Sequence, residues 1–317
     1  MYNQFYSFSE DPFNDSPDPR FLFLSESHKK ALDAMIAGID GRKGFISISG
    51  EAGTGKTILI QQLLNRPEKK IKTVFIYHPH ITFEDLLRET LLELNLPLEN
   101  QNKASLMKQF NTYLTQRLTH DGNLVIFIDE AQSLGEEVLV ELQAFSNLGI
   151  SISNLLQIVF VGLPGLEIKL NTKGLRQLQQ KIKIRCQIRP LTDEECQKYI
   201  DHRLNLVGSS ISEVFTPEAI PLICQYGEGI PRIINNICHN AFWIGFLLSQ
   251  ERLDFTVIEM AVESIYIQAR KAAFLPSFRD KFLPKEISHY FLSQGRNFLR
   301  KLVGGYGEGS STRWGKV

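Results

Sequence analysis

Eight consecutive residues, Gly50 to Thr57, read GEAGTGKT and limit the possible folds more than any other stretch. They satisfy the pattern G-x-x-x-x-G-K-[ST]. At average residue usage, chance produces that pattern in about one chain in a hundred of this length. A polyphosphate needs a concave array of donors. Gly50, Gly53 and Gly55 let the backbone turn so that its N–H groups point inward, and Glu51, Ala52 and Thr54 complete the cradle. Lys56 supplies a point charge for the β- and γ-phosphates, and the Thr57 hydroxyl suits Mg²⁺. Phe45 to Ser49 alternates like a strand, and the residues from Thr57 onward are helix-forming. The phosphate would then sit at a helix N-terminus. ATP and Mg²⁺ are the expected ligands.

The remaining pattern is that of an α/β chain. Thr73–Tyr77, Leu124–Ile128, Leu156–Val161 and Ile182–Ile188 read as further strands. Between them, Ser25–Arg42, Thr82–Leu94, Lys103–Leu118 and Gly135–Leu148 read as helices, with Thr82 and Asp85 forming a capping box. Strands alternating with helices predict a three-layer parallel sheet with its ligand at the carboxyl ends of the strands. Beyond Pro190 the chain reads as all-helical: Thr192 to about Leu206, a helix started by Thr216-Pro217-Glu218, Pro231–Ser249 and Thr256–Arg270. The expected organisation is an aromatic arm (1–24), a P-loop core (25–190), a small helical lid (191–272) and a tail (273–317).

Bulk properties exclude several classes. Lys+Arg and Asp+Glu both number 35, so the chain as a whole has no strong field for nucleic acid or membrane. Cys186, Cys196, Cys224 and Cys238 form no C-x-x-C pair and are expected as reduced, mostly buried thiols. The start has no secretory signal, and no apolar run approaches the ~20 residues of a spanning helix. A cytoplasmic protein is expected. From Leu275 the composition turns basic, with eight Lys/Arg against three Asp/Glu. Ile287, Phe291, Phe298 and Leu302 could share one face of a basic amphipathic helix. Such a tail would allow peripheral contact with the inner membrane.

Binding alone needs only the loop; hydrolysis needs acids beside it. The apolar run Leu124–Ile128 ends in Asp129-Glu130. Asp129 suits Mg²⁺, held through water, and Glu130 suits the general base that polarises the attacking water.

Several motifs now stand in order: the aromatic Tyr2…Phe13, Pro17-Asp18-Pro19…Phe21-Leu22-Phe23, His28…Ala31-Leu32, GEAGTGKT, and DEAQ at Asp129–Gln132. Together they resemble the AAA+ ATPases of the general secretion pathway protein A (ExeA) type, over about Met1–Arg270. The resemblance implies an AAA+ core with a helical lid, a homo-oligomer, and ATP-driven assembly or remodelling of an envelope secretion, pilus or polysaccharide-export machine. Gly229–Asn235 (GIPRIIN) resembles the sensor-2 helix start, which implies that Arg232 reports the γ-phosphate.

The chain departs from the family pattern at two places. Relatives usually carry Gln where this chain has Leu163, and Leu163 cannot hydrogen-bond water or phosphate through its side chain. Relatives usually show Arg where this chain has Lys181; if that arginine acts on a neighbouring subunit's ATP, Lys181 is a weaker substitute, because lysine lacks the planar fork. Arg185 or Arg176 could compensate. Slow turnover is therefore expected. Larger relatives continue into a membrane helix and a peptidoglycan-binding domain; without them, action from the cytoplasmic side is expected. One alternative is a nucleotide-dependent DNA-binding regulator of the transposition type. It would use a basic strip of Lys173, Arg176, Lys181, Lys183, Arg185 and Arg189. The other is an ATP-gated scaffold with little turnover.

Overall fold

The computed structural model describes residues 2–14, 18–65, 71–77, 81–98, 102–117, 122–145 and 155–273. Residues up to Val262 form one compact unit. It starts with the arm, a short helix α1 (Tyr2–Phe5) and a 3₁₀ turn (Pro19–Phe21). The core then runs α2 (Glu26–Asp40), β1 (Phe45–Gly50), α3 (Lys56–Leu64), β2 (Ile71–Ile76), α4 (Phe83–Glu93), α5 (Lys103–Arg117) and β3 (Asn123–Ile128). It closes with α6 (Glu136–Phe145), β4 (Leu156–Gly162), α7 (Gly165–Leu170), α8 (Arg176–Lys181) and β5 (Ile182–Ile188). The lid holds α9 (Asp193–Leu206), α10 (Ile211–Val214), α11 (Ala219–Gly227), α12 (Pro231–Leu247) and the start of α13 (Phe255–Ala273).

The five strands form one sheet in the order β2-β3-β4-β1-β5, all parallel. This is the expected three-layer arrangement. Alternate residues of each strand serve opposite faces. One face buries Val74, Ile76, Leu124, Ile126, Ile128, Ile158 and Phe160 under α4–α8. The other buries Ile46, Ile48, Val125, Phe127, Val159, Val161 and Ile188 under α2 and α3. Because both faces are covered, β1, β3 and β4 are buried along their whole length, which explains their near-continuous apolar sequence. β5 lies at an edge, and its alternating Lys183, Arg185 and Gln187 are exposed.

Caps define the helix starts as the sequence suggests. Thr82 with Asp85, and Thr192 with Glu195, make complete capping boxes, and the Ser25 hydroxyl accepts from the His28 N–H. The lid differs from expectation at one start. Thr216-Pro217-Glu218 makes a lead-in turn, closed by Ala219 N–H on the Thr216 carbonyl at 3.1 Å, and the helix begins only at Ala219. Phe215 is fully engaged just before it, bridging to Leu253 and packing on Phe242, so the chain turns before it coils.

The arm packs on the lid. Tyr2, Tyr6, Phe8 and Phe13 surround Phe242 of α12, with ring centroids 4.9–5.9 Å away. Arg203 of α9 is buried at the root of the arm. It donates to the carbonyls of Pro12 and Asn14 and to the Tyr199 hydroxyl, and lies 4.7 Å from the Phe21 ring centre. The first half of the arm therefore covers lid core. The turn Pro19–Phe21 touches both α3, the P-loop helix, and α9.

Cys196, Cys224 and Cys238 are free and buried in the lid, and Cys186 is half-buried on β5. Among the described residues no helix is long and apolar enough to cross a membrane. The basic amphipathic tail expected beyond residue 273 lies outside the described residues.

Candidate nucleotide site

The parallel register brings the expected residues to one edge of the sheet. Ser49 of β1 is level with Gly162 of β4, and Ile128 of β3 with Phe160. Gly50, Asp129-Glu130 and Leu163 therefore leave the sheet side by side at its carboxyl end. Gly50 also pairs with Ile188, the last residue of β5, where the chain turns into the lid.

The loop between β1 and α3 has the form of a cradle. Gly53 and Gly55 adopt φ of 82° and 94°, a region that residues with a Cβ rarely enter. A Cβ at Gly53 would lie 2.7 Å from the Cβ of Arg232, and one at Gly50 would lie 2.9 Å from the Ile188 carbonyl oxygen. The backbone itself is thus the wall of the site, which fits a bound polyphosphate. Thr54 is buried, its hydroxyl donating to the Glu51 carbonyl at 2.8 Å. Thr57, in the first turn of α3, is exposed.

Lys56 donates to the carbonyls of Gly50 and Glu51, both at 2.8 Å. Its pKa lies below the usual lysine value. Burial is the main cause, Asp129 pulls the other way, and Arg232 adds to the depression. Those influences place the Asp129 carboxylate and the Arg232 guanidinium within electrostatic reach of Lys56. Asp129 accepts from the Glu130 N–H at 2.8 Å, while its own N–H is held by the Ile76 carbonyl at 3.0 Å. Glu130 is exposed and takes a left-handed φ of 49°. A glutamate in that conformation stores backbone strain of a kind that gathers at functional sites.

The lid reaches the loop directly. The Arg232 N–H, in the first turn of α12, donates to the Gly53 carbonyl at 3.3 Å. The preceding turn is pinned by the Leu191 N–H on the Gly229 carbonyl at 2.7 Å. The expected GIPRIIN element therefore meets the expected GEAGTGKT element.

An AAA domain profile matches residues 39–170. Over 266 residues the chain is 34% identical to general secretion pathway protein A of Aeromonas hydrophila, covering 84% of this chain and 48% of that one. Residues 39–170 carry an AAA domain, on the expected P-loop ATPase fold. The resemblance read from its motifs holds, although the chain spans about half the length of that relative. Among solved structures, Cdc6p from Pyrobaculum aerophilum superposes with a TM-score of 0.64 at 15% identity, over 78% of this chain and 68% of that one. ORC2 of Aeropyrum pernix in its ADP form gives 0.60 at 17% identity, over 81% and 73%. At such identities these likenesses speak for the AAA+ fold alone.

Three expected contributors lie elsewhere in this AAA core. Lys181 precedes β5 at the amino end of the sheet and donates to the Gln143 carbonyl at 3.2 Å. Six strand residues separate that end from the loop, about 20 Å at 3.3 Å per residue. Lys181 does not join its own chain's loop. Arg185 is paired with Glu167 at 2.6 Å. Arg176 is exposed at the start of α8.

Three further residues at the site were not singled out by sequence reasoning. In the sequence, His28 stands out only within the family resemblance. It is buried, with Nε2 2.7 Å from the Thr54 carbonyl and Nδ1 2.6 Å from the Ser25 hydroxyl. Gln132 accepts from the Leu163 N–H at 3.0 Å, so it fixes the turn whose side chain is apolar. Lys169 donates to the carbonyls of Gln132 and Leu134, which braces the turn after Glu130. Gln132 stands within the DEAQ motif, which was a signal. Lys169 and its carbonyl partners left none.

Proposed function

We propose that the chain binds MgATP at this edge and hydrolyses it slowly. In this reading it uses occupancy of the loop to set the lid against the core. The observation that carries this reading is the direct seating of the lid on the loop, Arg232 N–H on the Gly53 carbonyl, beside Lys56. A group bound in the loop must alter what the lid rests on.

The roles follow from position. Lys56 leaves the Gly50 and Glu51 carbonyls to meet the β- and γ-phosphates, and the N–H groups of residues 51–56 surround them. Thr57 and Asp129 would hold Mg²⁺, which neutralises phosphate charge when bound. Glu130 polarises the attacking water, and Arg232 reports the γ-phosphate to α12. Leu163 offers only an N–H already held by Gln132, so the γ-phosphate lacks a polar side chain at that point. Lys181, a sheet length away from its own loop, would act on the nucleotide of a neighbouring copy in a homo-oligomer. A lysine there stabilises charge less well than an arginine finger.

The work performed is the assembly or remodelling of an envelope secretion, pilus or polysaccharide-export machine, from the cytoplasmic face of the inner membrane. The relationship to general secretion pathway protein A supports this. The DNA-binding alternative depends on the basic strip 173–189. Its Arg185 is neutralised by Glu167, and its Lys181 and Lys183 donate to backbone carbonyls. We therefore place the envelope reading first.

Titration calorimetry on the wild type and on Lys56→Ala tests the nucleotide reading. The wild type should bind ATP in a magnesium-dependent way. The variant should bind at least about a hundredfold more weakly, since each charge-assisted hydrogen bond contributes about 1.5–3 kcal/mol. Equal affinity in the two proteins would refute it.

A further inference from the structure

We infer that His28 is a positioning residue for the nucleotide site: it holds the phosphate loop in its cradle form and ties that loop to the lid hinge through the first turn of α2. The inference rests on the nucleotide reading above and adds a residue to it.

The hydrogen bonds fit a neutral ring with both nitrogens used. The Thr54 carbonyl can only accept, so Nε2 carries the proton that it shares at 2.7 Å. The Ser25 hydroxyl accepts from the His28 backbone N–H at 3.3 Å and so has its own proton free to give to Nδ1 at 2.6 Å. A neutral Nε2–H tautomer satisfies both contacts. Burial also favours the neutral ring.

The carbonyl it holds lies between the two left-handed glycines, Gly53 and Gly55. The His28 ring also fills space against Gly55, where a Cβ would come within 3.1 Å of Nε2. The inward N–H groups of a phosphate loop require its carbonyls to point outward. An outward carbonyl buried without a partner would be costly, and His28 supplies the partner.

The same helical turn grips the hinge. The Glu26 N–H donates to Glu195 Oε1 at 2.9 Å, and the other oxygen of Glu195 accepts from Thr192 N–H at 3.1 Å, at the cap of α9. Ser27 Oγ donates to the Arg189 carbonyl at 3.4 Å and accepts from the Arg189 N–H at 3.3 Å. Residues 25–28 therefore bond the loop on one side and the start of the lid on the other.

The test compares the full chain with His28→Leu and His28→Gln by calorimetry with MgATP and MgADP, and records thermal unfolding of each. The amide of Gln replaces the Nε2–H donor; Leu fills the space without one. Affinity for both nucleotides should fall about tenfold in His28→Leu and stay within about threefold in His28→Gln, the range of one neutral hydrogen bond. Should His28→Leu not fold, Ser25→Ala carries the test, since it releases the ring and should weaken binding by about threefold. Wild-type affinity in His28→Leu overturns the inference, as does equal loss in Leu and Gln variants that unfold like the wild type. If instead the wild type binds no nucleotide, the nucleotide reading itself has failed.

Discussion

Two neighbouring turns at the carboxyl end of the sheet, residues 50–57 and residues 162–165, are built to different standards. The first is over-determined. Its carbonyls are held by His28, by Lys56 and by the Arg232 N–H, and its glycines are hemmed in by Arg232 and Ile188. The second offers an apolar side chain, Leu163, 37% exposed, and one N–H bound to Gln132. A loop fixed from three sides favours binding, because little ordering remains to be done when ligand arrives. A turn without a polar side chain gives nothing to the charge that develops during hydrolysis. Under the proposed function, the difference makes holding nucleotide and cleaving it separable properties.

The largest effect should come from the acid strand end. Glu130→Gln should lower turnover by about 10²–10⁴-fold while leaving ATP affinity near that of the wild type, as read by phosphate release beside calorimetry. A parallel loss of both would show that the two turns act as one unit. Next in size is the lid itself. Phe242→Ala removes the ring on which Tyr6, Phe8, Phe13 and Phe215 pack, and should cost about 3–5 kcal/mol in denaturant unfolding. Nucleotide affinity should fall with it only if the lid supports the loop as its Arg232 contact indicates.

Leu163→Gln sharpens the contrast from the poorer side. Supplying a donor and an acceptor at that turn should raise turnover by up to about tenfold with little change in affinity, a fraction of the 10²–10³ that a full oxyanion donor is worth. The smallest effect concerns acidity. Burial holds His28 and His202 below the ordinary histidine value of 6.5; for His28 this outweighs the Thr54 carbonyl and Glu195, which act in the opposite sense. The unfolded chain then takes up protons near 6.5 that the folded chain refuses. The stabilisation is complete above that pH and is lost as pH falls below it. Unfolding midpoints between pH 7.5 and 5.5 should therefore decline, and less so in His28→Gln.

How much of this was legible in the sequence follows the range of the interactions. The strands, the capping boxes at Thr82 and Thr192, the loop and Asp129-Glu130 are encoded locally, in periods and short spacings, and the sheet order then brings them together. Arg232 was readable because it sits in a motif. The His28–Thr54 bond spans 26 residues, the Gln132–Leu163 bond 31 and the Arg203–Pro12 bond 191, and no local pattern announces such pairs. A buried histidine in a helix resembles any other core residue until the loop it holds is in place. Lys181 is legible only through the family pattern, and the direction of β5 places it at the end of the sheet away from its own loop, where only a neighbouring copy's nucleotide is left for it.

The central claim, tight holding with slow cleavage, is tested most directly by mixing the full chain with excess MgATP and measuring bound nucleotide and released phosphate in the same sample. The account predicts near-stoichiometric ATP on the protein and turnover well below the ~1 s⁻¹ at the lower end of ordinary enzymes. Turnover of several per second, or no nucleotide retained at all, would contradict it.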